Sequence, residues 1–302
     1  MRVFITGASG HIGSAVVPEL LAAGHGVVGL ARSEASAAAL KSTGAEVRRG
    51  TLDDLDVLRD AAAAADGVIH LAFKHDVAFS GGFEAAATAD LRAVETIGDA
   101  LAGTNKPFVT TGGTALLGRL ELGRAGTEDD TIDGGPRIDS ENVTIALAKR
   151  GVRSSAVRLP PTVHSSLDHH GFVPSLIANA RKSGRAVYVG DGANRWPAVH
   201  TLDAAHLYRL ALESAPAGSR LHAVAEEGVP FREIAEAMGR GLGVPATSVA
   251  PNEAAAELGF VGAFIQVDNP TSSAHTRELL RWRPTHAGLL ADLAERHYFE
   301  LR

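Results

Sequence analysis

The chain contains no cysteine among its 302 residues. Disulfide bonds, thiolate nucleophiles and cysteine-ligated metal sites are therefore excluded. Tyrosine is also scarce, with three residues in the whole sequence, so few phenolic groups are available as proton donors. The sequence has no 18-residue apolar run, and it therefore predicts neither a transmembrane helix nor a membrane partner.

Charge of one sign is not concentrated in any stretch. The 29 lysines and arginines stand against 35 acidic residues, for a formal charge of −6, and the basic residues form no long run. This balance argues against a nucleic-acid partner and against an acidic membrane surface. Because a strand is predicted from residue 2 onward, we expect no signal peptide and a cytoplasmic protein.

Glycine, by contrast, is placed with a clear pattern near the start of the chain. The apolar run Val3-Phe4-Ile5 is followed at once by glycines at positions 7, 10 and 13. Apolar residues then recur at helical spacing up to Leu21, and a second apolar run covers 27–31. The order of strand, tight turn, helix and strand is that of a dinucleotide-binding unit.

Each glycine has a physical role in such a unit. Gly7 allows the sharp turn, Gly10 lets a diphosphate approach the backbone, and Gly13 lets the helix pack closely. The helix N-terminus then offers N–H groups and a positive dipole to the phosphates. The alternative is a glycine-rich turn in some other α/β protein. The contacts predicted in this turn are Gly7, Ser9, Gly10, His11, Ile12 and Gly13.

The rest of the N-terminal half continues the alternation. Strands are predicted over 45–49, 67–71, 107–111 and 152–159, with helices between them. This pattern predicts an α/β fold with a doubly wound parallel Rossmann sheet. The acidic run 128–130 is typical of a solvated loop.

Two portions of the chain follow from this pattern. Residues 1–165 form the predicted nucleotide-binding domain. Residues 166–302 form a smaller, mostly helical substrate portion, with part of 186–224 returning to the sheet.

The pattern Gly-x-x-Gly-x-x-Gly after Thr6 resembles the extended and atypical short-chain dehydrogenases/reductases, a superfamily that includes nucleotide-sugar epimerases and dehydratases. The resemblance covers most of the chain and implies a nicotinamide dinucleotide cofactor. It places Leu52 against the adenine, although Thr51 departs from the family's usual Asp. It also implies a homodimer paired through helices near 83–101 and 141–150. The residues that it places along the cofactor ribose are Leu71, Ala72 and Phe73.

Arg32 and Ser33 stand where the second strand ends, which is the position that selects the cofactor. NAD enzymes usually carry an acid there to accept from the ribose 2′-hydroxyl. Arginine and serine instead donate to a 2′-phosphate, and Ser9 can join them. These residues predict NADP. The alternative is a solvated Arg32, with Glu34 binding the ribose.

The family's catalytic pattern, Tyr-x-x-x-Lys, is missing. None of Tyr188, Tyr208 and Tyr298 has lysine four residues later. Counting back from the strand at 152–159 puts Arg137 in the place of the tyrosine and Glu141 in that of the lysine, within a residue or two. Arginine does not give up a proton near neutral pH, so a tyrosine-type mechanism is not expected.

Other side chains remain for the chemistry. Thr111, or Thr114 nearby, can supply the hydroxyl that polarises a carbonyl, unless it only ends a strand. His75 has the intrinsic pKa of a proton donor, although an exposed loop residue is the alternative. The predicted catalytic residues are Thr111, His75 and Arg137.

A cluster of imidazoles and a carboxylate follows the sixth strand, at His164, Asp168, His169 and His170. It lacks a helical ligand pair, and one loop rarely supplies a whole metal site. We therefore expect no metal there, and instead a polar wall of the substrate pocket.

These features together predict an NADPH-dependent oxidoreductase that acts on a small carbonyl-type substrate. Two alternatives stay open. The lost tyrosine and lysine favour a non-catalytic NADP(H)-binding redox sensor. The family resemblance allows a nucleotide-sugar epimerase or dehydratase.

Overall fold

The computed structural model describes residues 1–300, apart from the side chain of Phe260. The strands are β1 Arg2–Thr6, β2 Gly26–Ala31, β3 Glu46–Arg49, β4 Gly67–His70, β5 Pro107–Gly113, β6 Arg153–Leu159, β7 Thr162–His164, β8 Ala186–Val189, β9 Arg195–His200, β10 Ser219–His222, β11 Glu226–Pro230 and β12 Ala246–Val249. The helices are α1 Gly13–Ala22, α2 Glu34–Ser42, α3 Leu55–Ala64, α4 His75–Val77, α5 Phe83–Leu101, α6 Ile138–Ala146, α7 Phe172–Ser183, α8 Thr201–Ser214, α9 Phe231–Leu242, α10 Pro251–Leu258, α11 Ala274–Leu280 and α12 Leu289–Asp292.

A seven-stranded sheet forms the centre of the molecule, in the order β10-β6-β5-β4-β1-β2-β3. Every neighbouring pair in it is parallel, which confirms the predicted doubly wound sheet. Its middle strands are buried on both faces, as their unbroken apolar runs predict. The short strand β10 extends the sheet beyond β6.

Helices cover both faces of this sheet. Val3 and Ile5 point into a core with α1 and α8, whereas Phe4 points into the opposite core with α3 and α5. This division follows from the two-residue alternation of a strand. In α5, the buried positions Ala86, Asp90, Ala93, Ile97 and Leu101 recur at helical spacing, so Asp90 lies on the helix's inner face.

The C-terminal portion contains short sheets as well as helices. Strands β11, β9 and β7 form a three-stranded sheet, and β12 pairs with β8. A separate apolar core lies among these elements and includes Trp196, Phe231 and Met238. Because β7 starts three residues after β6 ends, this portion adjoins the carboxyl ends of the central strands.

The acidic run 128–130 is not simply a solvated loop, as the sequence suggested. Glu128 is buried, and its Oε1 accepts hydrogen bonds from the Thr276 amide and hydroxyl at 2.9 and 2.6 Å. The prediction was wrong here because α11 supplies donors from a distant part of the chain. Among residues 1–300, no helix combines the length and the apolar composition needed to cross a membrane.

Candidate functional site

The glycine turn between β1 and α1 has open space beside Gly10 but is tightly packed at Gly7 and Gly13. Gly7 has a φ of 70°, and a Cβ there would lie 2.7 Å from the Ala72 amide nitrogen. A Cβ on Gly13 would lie 2.2 Å from the Gly7 carbonyl oxygen. A Cβ on Gly10 would meet only that carbonyl oxygen, at 3.3 Å. The open space beside Gly10 fits a diphosphate that approaches the backbone closely.

The other predicted residues of this turn lie around that space. Ile12 is the N-cap residue of α1, and Ser9 is exposed. The His11 Nε2 lies 2.8 Å from the Thr201 Oγ1 at the start of α8. This contact ties the turn to the C-terminal half of the chain.

Arg32 and Ser33 follow the end of β2. The Arg32 side chain is 71% exposed and contacts Asp76 at 3.3 Å. The Ser33 hydroxyl is the N-cap of α2 and accepts from the Ser36 amide at 3.1 Å. Glu34, the alternative ribose ligand, is 85% exposed and lies 3.5 Å from Arg49.

Sequence reasoning missed Arg49, which ends the neighbouring strand β3. Its Nη1 donates to the Ser33 carbonyl at 2.5 Å, so a second guanidinium lies beside the predicted 2′-phosphate position. The predicted order of parallel strands could have indicated Arg49, because β3 pairs with β2 and Arg49 is in register with Ala31 at the end of β2.

The segment after β4 runs beside the glycine turn. The Leu71 amide donates to the Thr6 carbonyl at 3.1 Å, and the Ala72 amide to the Thr6 hydroxyl at 3.3 Å. Further along, Lys74 forms an ion pair with Asp53 at 2.7 Å. Leu52, the predicted adenine contact, is buried beside this region.

A buried polar chain crosses the carboxyl ends of the central strands. The Thr6 hydroxyl lies 2.8 Å from the His70 Nδ1. The His70 Nε2 lies 3.2 Å from Asp90 Oδ1, which in turn lies 2.7 Å from Arg137 Nη1. The His70 side chain is buried. Asp90 is buried as well.

Arg137 completes this chain from the N-cap position of α6. Its Nη2 donates to the Thr111 carbonyl at 3.0 Å, and its guanidinium lies 4.2 Å from the Phe73 ring centroid. Burial alone would raise the pKa of Asp90, but Arg137 and His70 lower it to about 2. The Asp90 carboxylate is therefore charged and paired with a guanidinium at the carboxyl ends of the central strands.

The three predicted catalytic residues come together here. Arg137 contacts Thr111 and Phe73, and the Phe73 ring lies 5.1 Å from the His75 ring. The Thr111 hydroxyl donates to the His70 carbonyl at 2.9 Å and lies 2.8 Å from the Tyr208 hydroxyl. The proton of the Thr111 hydroxyl is therefore already hydrogen-bonded to the His70 carbonyl oxygen. Loss of solvent around the ring and the positive charge of Arg137 lower the pKa of His75.

Glu141, which takes the place of the family's lysine, is bound by two arginines of the central sheet. Its carboxylate binds Arg158 at 2.6 Å and Arg220 at 2.7 Å. Burial raises its pKa, and the two guanidinium groups outweigh that effect and lower it. Glu141 therefore joins α6 to β6 and β10.

The imidazole cluster lies in the loop before α7. Asp168 Oδ1 accepts from the Gly171 amide at 2.8 Å and lies 3.6 Å from His11 Nδ1. Burial raises the pKa of Asp168 to about 7. His164 instead lies 2.9 Å from Asp292. Within residues 1–300, no three histidine or acidic side chains converge as metal ligands.

The sequence of the chain is similar to those of known proteins. The family model described as "NAD dependent epimerase/dehydratase family" matches residues 3–224. An uncharacterized protein of Schizosaccharomyces pombe is 49% identical over 301 residues, covering 99% of this chain and 100% of that protein. The 2′-dehydrokanamycin reductase of Streptomyces kanamyceticus is 30% identical over 262 residues, which cover 85% of this chain and 71% of the reductase.

Solved structures share the fold at low sequence identity. The dTDP-glucose 4,6-dehydratase of Streptomyces venezuelae, crystallised with NAD, superimposes with a TM-score of 0.78 at 20% identity. The alignment covers 97% of this chain and 95% of the dehydratase. The resemblance inferred from the glycine turn is thus confirmed, and the chain belongs to the NAD dependent epimerase/dehydratase family.

Proposed function

We propose that the protein is an NADPH-dependent reductase of a small carbonyl compound. One observation carries the proposal: the Arg137 guanidinium contacts both the Phe73 ring and the Thr111 carbonyl, at the strand ends where open α/β sheets bind ligands. The relative that is named as a 2′-dehydrokanamycin reductase supports the reaction class.

The cofactor supplies the hydride, and the chain's own residues hold and orient it. The open side of Gly10 and the N-terminus of α1 receive the diphosphate. Arg32 binds the 2′-phosphate, with Arg49 beside it. Arginine suits this role because its planar fork matches phosphate oxygens and stays charged.

Arg137 stabilises the substrate oxygen. Its contacts with Asp90 and Thr111 use two of the five N–H donors of a guanidinium. The remaining donors can meet an oxygen on which negative charge develops, and they act without transferring a proton. We assign Thr111 mainly to holding Arg137, because the Thr111 hydroxyl must first release the His70 carbonyl before it can donate to substrate.

His75 is the proposed route for a proton. Its ring contacts the Phe73 ring, which in turn contacts the Arg137 guanidinium. Its lowered pKa keeps most of the imidazole neutral at pH 7, so the proton it passes on comes from solvent. Activity that depends on His75 therefore falls as pH rises.

Calorimetry with NADPH and NADH tests the cofactor assignment. NADPH should bind roughly 10- to 100-fold more tightly, because an Arg–phosphate hydrogen bond contributes about 1.5–3 kcal/mol. Arg32→Ala should remove most of this preference and leave NADH binding nearly unchanged. Glu34→Gln is the matched control and should change neither affinity. Equal affinities in the wild type, or weaker NADH binding in Glu34→Gln, would assign the ribose to Glu34.

The sensor alternative is supported by the replacement of the catalytic tyrosine and lysine. NADPH oxidation against a panel of ketones, aldehydes and quinones separates the two functions. Tight NADPH binding with no turnover across the panel would favour the sensor. Turnover of any member would support the reductase.

A further inference from the structure

An aromatic wall leads outward from Arg137; we define it as Phe73, His75 and Phe79. The ring centroids of Phe73 and His75 are 5.1 Å apart, and those of His75 and Phe79 are 5.7 Å apart. Phe79 is 44% exposed, a high value for a large apolar side chain. It lies in the π-helical turn Ala78–Gly82, at the outer end of the wall. The rings are inclined to each other, at 73° and 52°, so a flat, unsaturated substrate can stack on one ring and meet the edge of its neighbour.

The second observation concerns protons. Arg137 stays charged at all relevant pH values, the Thr111 proton is bound by the His70 carbonyl, and Tyr208 is fully buried. Among residues 1–300, the surroundings of Arg137 thus offer a fixed cation but no phenolic acid like that of the family, and His75, whose pKa is lowered, passes on a proton only after taking it from solvent. A substrate fits this site best if its reduced form is stable as an anion.

The chemistry of the product distinguishes the possible substrates. Reduction of an ordinary ketone gives an alkoxide, whose conjugate acid is about as weak as water. Reduction of a quinone gives a phenolate, whose conjugate acid has a pKa of about 10, like tyrosine. The phenolate needs no acid in the site and can be neutralised by water after hydride transfer.

We propose that the substrates are quinones, stacked on the aromatic wall with one oxygen on Arg137. In this step the quinone gains a hydride, that is two electrons and one proton, from the reduced nicotinamide cofactor, which becomes oxidised. The hydroquinone monoanion then takes a proton from water, directly or by way of His75. The proposal rests on the proposed function, because it needs that cofactor as the reductant.

Binding of a coloured phenol tests the anion site without turnover. 4-Nitrophenol absorbs visible light only as the phenolate, and it is titrated into protein saturated with NADP⁺, at a pH where the free phenol is mostly protonated. The wild type should increase the phenolate band. Arg137→Met should remove the increase, and Phe79→Ala should weaken binding roughly three- to tenfold. Leu279→Ala, an exposed apolar residue on α11, is the matched control and should have no effect.

A second variant, in which the buried charge is balanced, keeps the test valid if Arg137→Met fails to fold. Arg137→Met leaves Asp90 buried without its guanidinium, so the double variant Arg137→Met/Asp90→Asn is measured as well. Loss of the phenolate band in the double variant supports the proposal. An unchanged band in a folded Arg137 variant would overturn it.

Two bicyclic compounds of the same size, a quinone and an ordinary ketone, test the reaction itself. 1,4-Naphthoquinone should be reduced by NADPH at least tenfold faster than 1-tetralone, after subtraction of the rate without protein, and Phe79→Ala should raise its KM. Equal or faster reduction of 1-tetralone would overturn the quinone assignment while leaving the reductase proposal intact. Failure of NADPH to bind would instead overturn the proposed function.

Discussion

At the residue scale, Arg137 shows how the site departs from ordinary local structure. Its φ of 70° places a non-glycine residue in the left-handed region, at a cost of roughly 1–2 kcal/mol. The ion pair with Asp90, the bond to Thr111 and the contact with Phe73 compensate for this cost. A backbone held this way delivers the guanidinium from the start of α6 to the strand ends.

Asp90 provides a pH-dependent test of that ion pair. Its pKa of about 2 lies below the ordinary value of 3.8. A lowered acid pKa contributes stability above pH 4, and this contribution is lost as pH falls toward 2. The amount is about 2 kcal/mol. Asp90→Asn should therefore destabilise the protein by about 3 kcal/mol at pH 7, and by less at pH 2.5.

Urea unfolding of both proteins at the two pH values measures this effect. Asp99→Asn on the same helix is a suitable control, because its ion pair with Arg150 is exposed and contributes little. A difference between wild type and Asp90→Asn that stays constant with pH would argue against a charged Asp90 at the strand ends.

At the element scale, substitutions in the glycine turn should affect dinucleotide binding and stability separately. Gly10→Val adds atoms on the open side, so it should abolish dinucleotide binding and change stability by about 1 kcal/mol or less. Gly13→Val is the matched variant, because its Cβ would lie 2.2 Å from the Gly7 carbonyl. It should cost about 1–3 kcal/mol through overpacking.

Calorimetry with NADPH and thermal melting distinguish these two outcomes. Unchanged NADPH affinity in Gly10→Val would show that the diphosphate lies elsewhere. A melting temperature for Gly13→Val equal to that of the wild type would show that the turn can relax.

The loop between β7 and α7 carries a second pH-dependent element. Asp168 is buried and has a pKa of about 7, above the ordinary 3.8. The folded state therefore keeps a proton that the unfolded state releases, so stability falls as pH rises from 4 to 7. The loss reaches about 4 kcal/mol. Asp168→Asn should stabilise the protein at pH 8 and change little at pH 4, as measured by urea unfolding.

The Asn side chain keeps an oxygen for the Gly171 amide, which Asp168 now accepts from, so the local turn is preserved. Asp292→Asn provides a contrast, because it removes the carboxylate that lies 2.9 Å from His164. It should destabilise the protein. If Asp168→Asn weakened the protein at pH 8, Asp168 would have to be charged and paired.

At the scale of the whole molecule, sequence periodicity predicted the fold well but the site only in part. The glycine turn and the buried strands are local patterns, since each depends on neighbours within about 30 residues. The polar chain joins Thr6, His70, Asp90 and Arg137 from four separated segments. Spacing along one segment carries no information on such a meeting. The one local signal was the position of Asp90 on the apolar face of α5.

The three tyrosines are also distributed in a way that only the folded chain reveals. The Tyr208 hydroxyl lies 2.8 Å from Thr111, but Tyr208 sits in a sealed core and burial raises its pKa. The Tyr298 hydroxyl accepts from the Ser165 amide at 3.1 Å. Tyr188 lies beside Arg232, 5.7 Å from its guanidinium. These contacts are those of packing residues, so the chemical step should not depend on a tyrosine.

Single and triple Tyr→Phe variants test this expectation. Tyr208→Phe and Tyr298→Phe each remove about one hydrogen bond, worth about 1 kcal/mol, so the variants should fold. Their hydride-transfer rates should stay within about tenfold of wild type, because loss of a true general acid costs roughly 10²–10⁴. Arg137→Met should lower the rate by roughly 10²–10³, the usual cost of losing a donor to a developing oxyanion. Single-turnover measurements at saturating NADPH isolate this step. A large loss in one tyrosine variant, together with a silent Arg137→Met, would place the proton donor on that tyrosine and remove Arg137 from the chemistry.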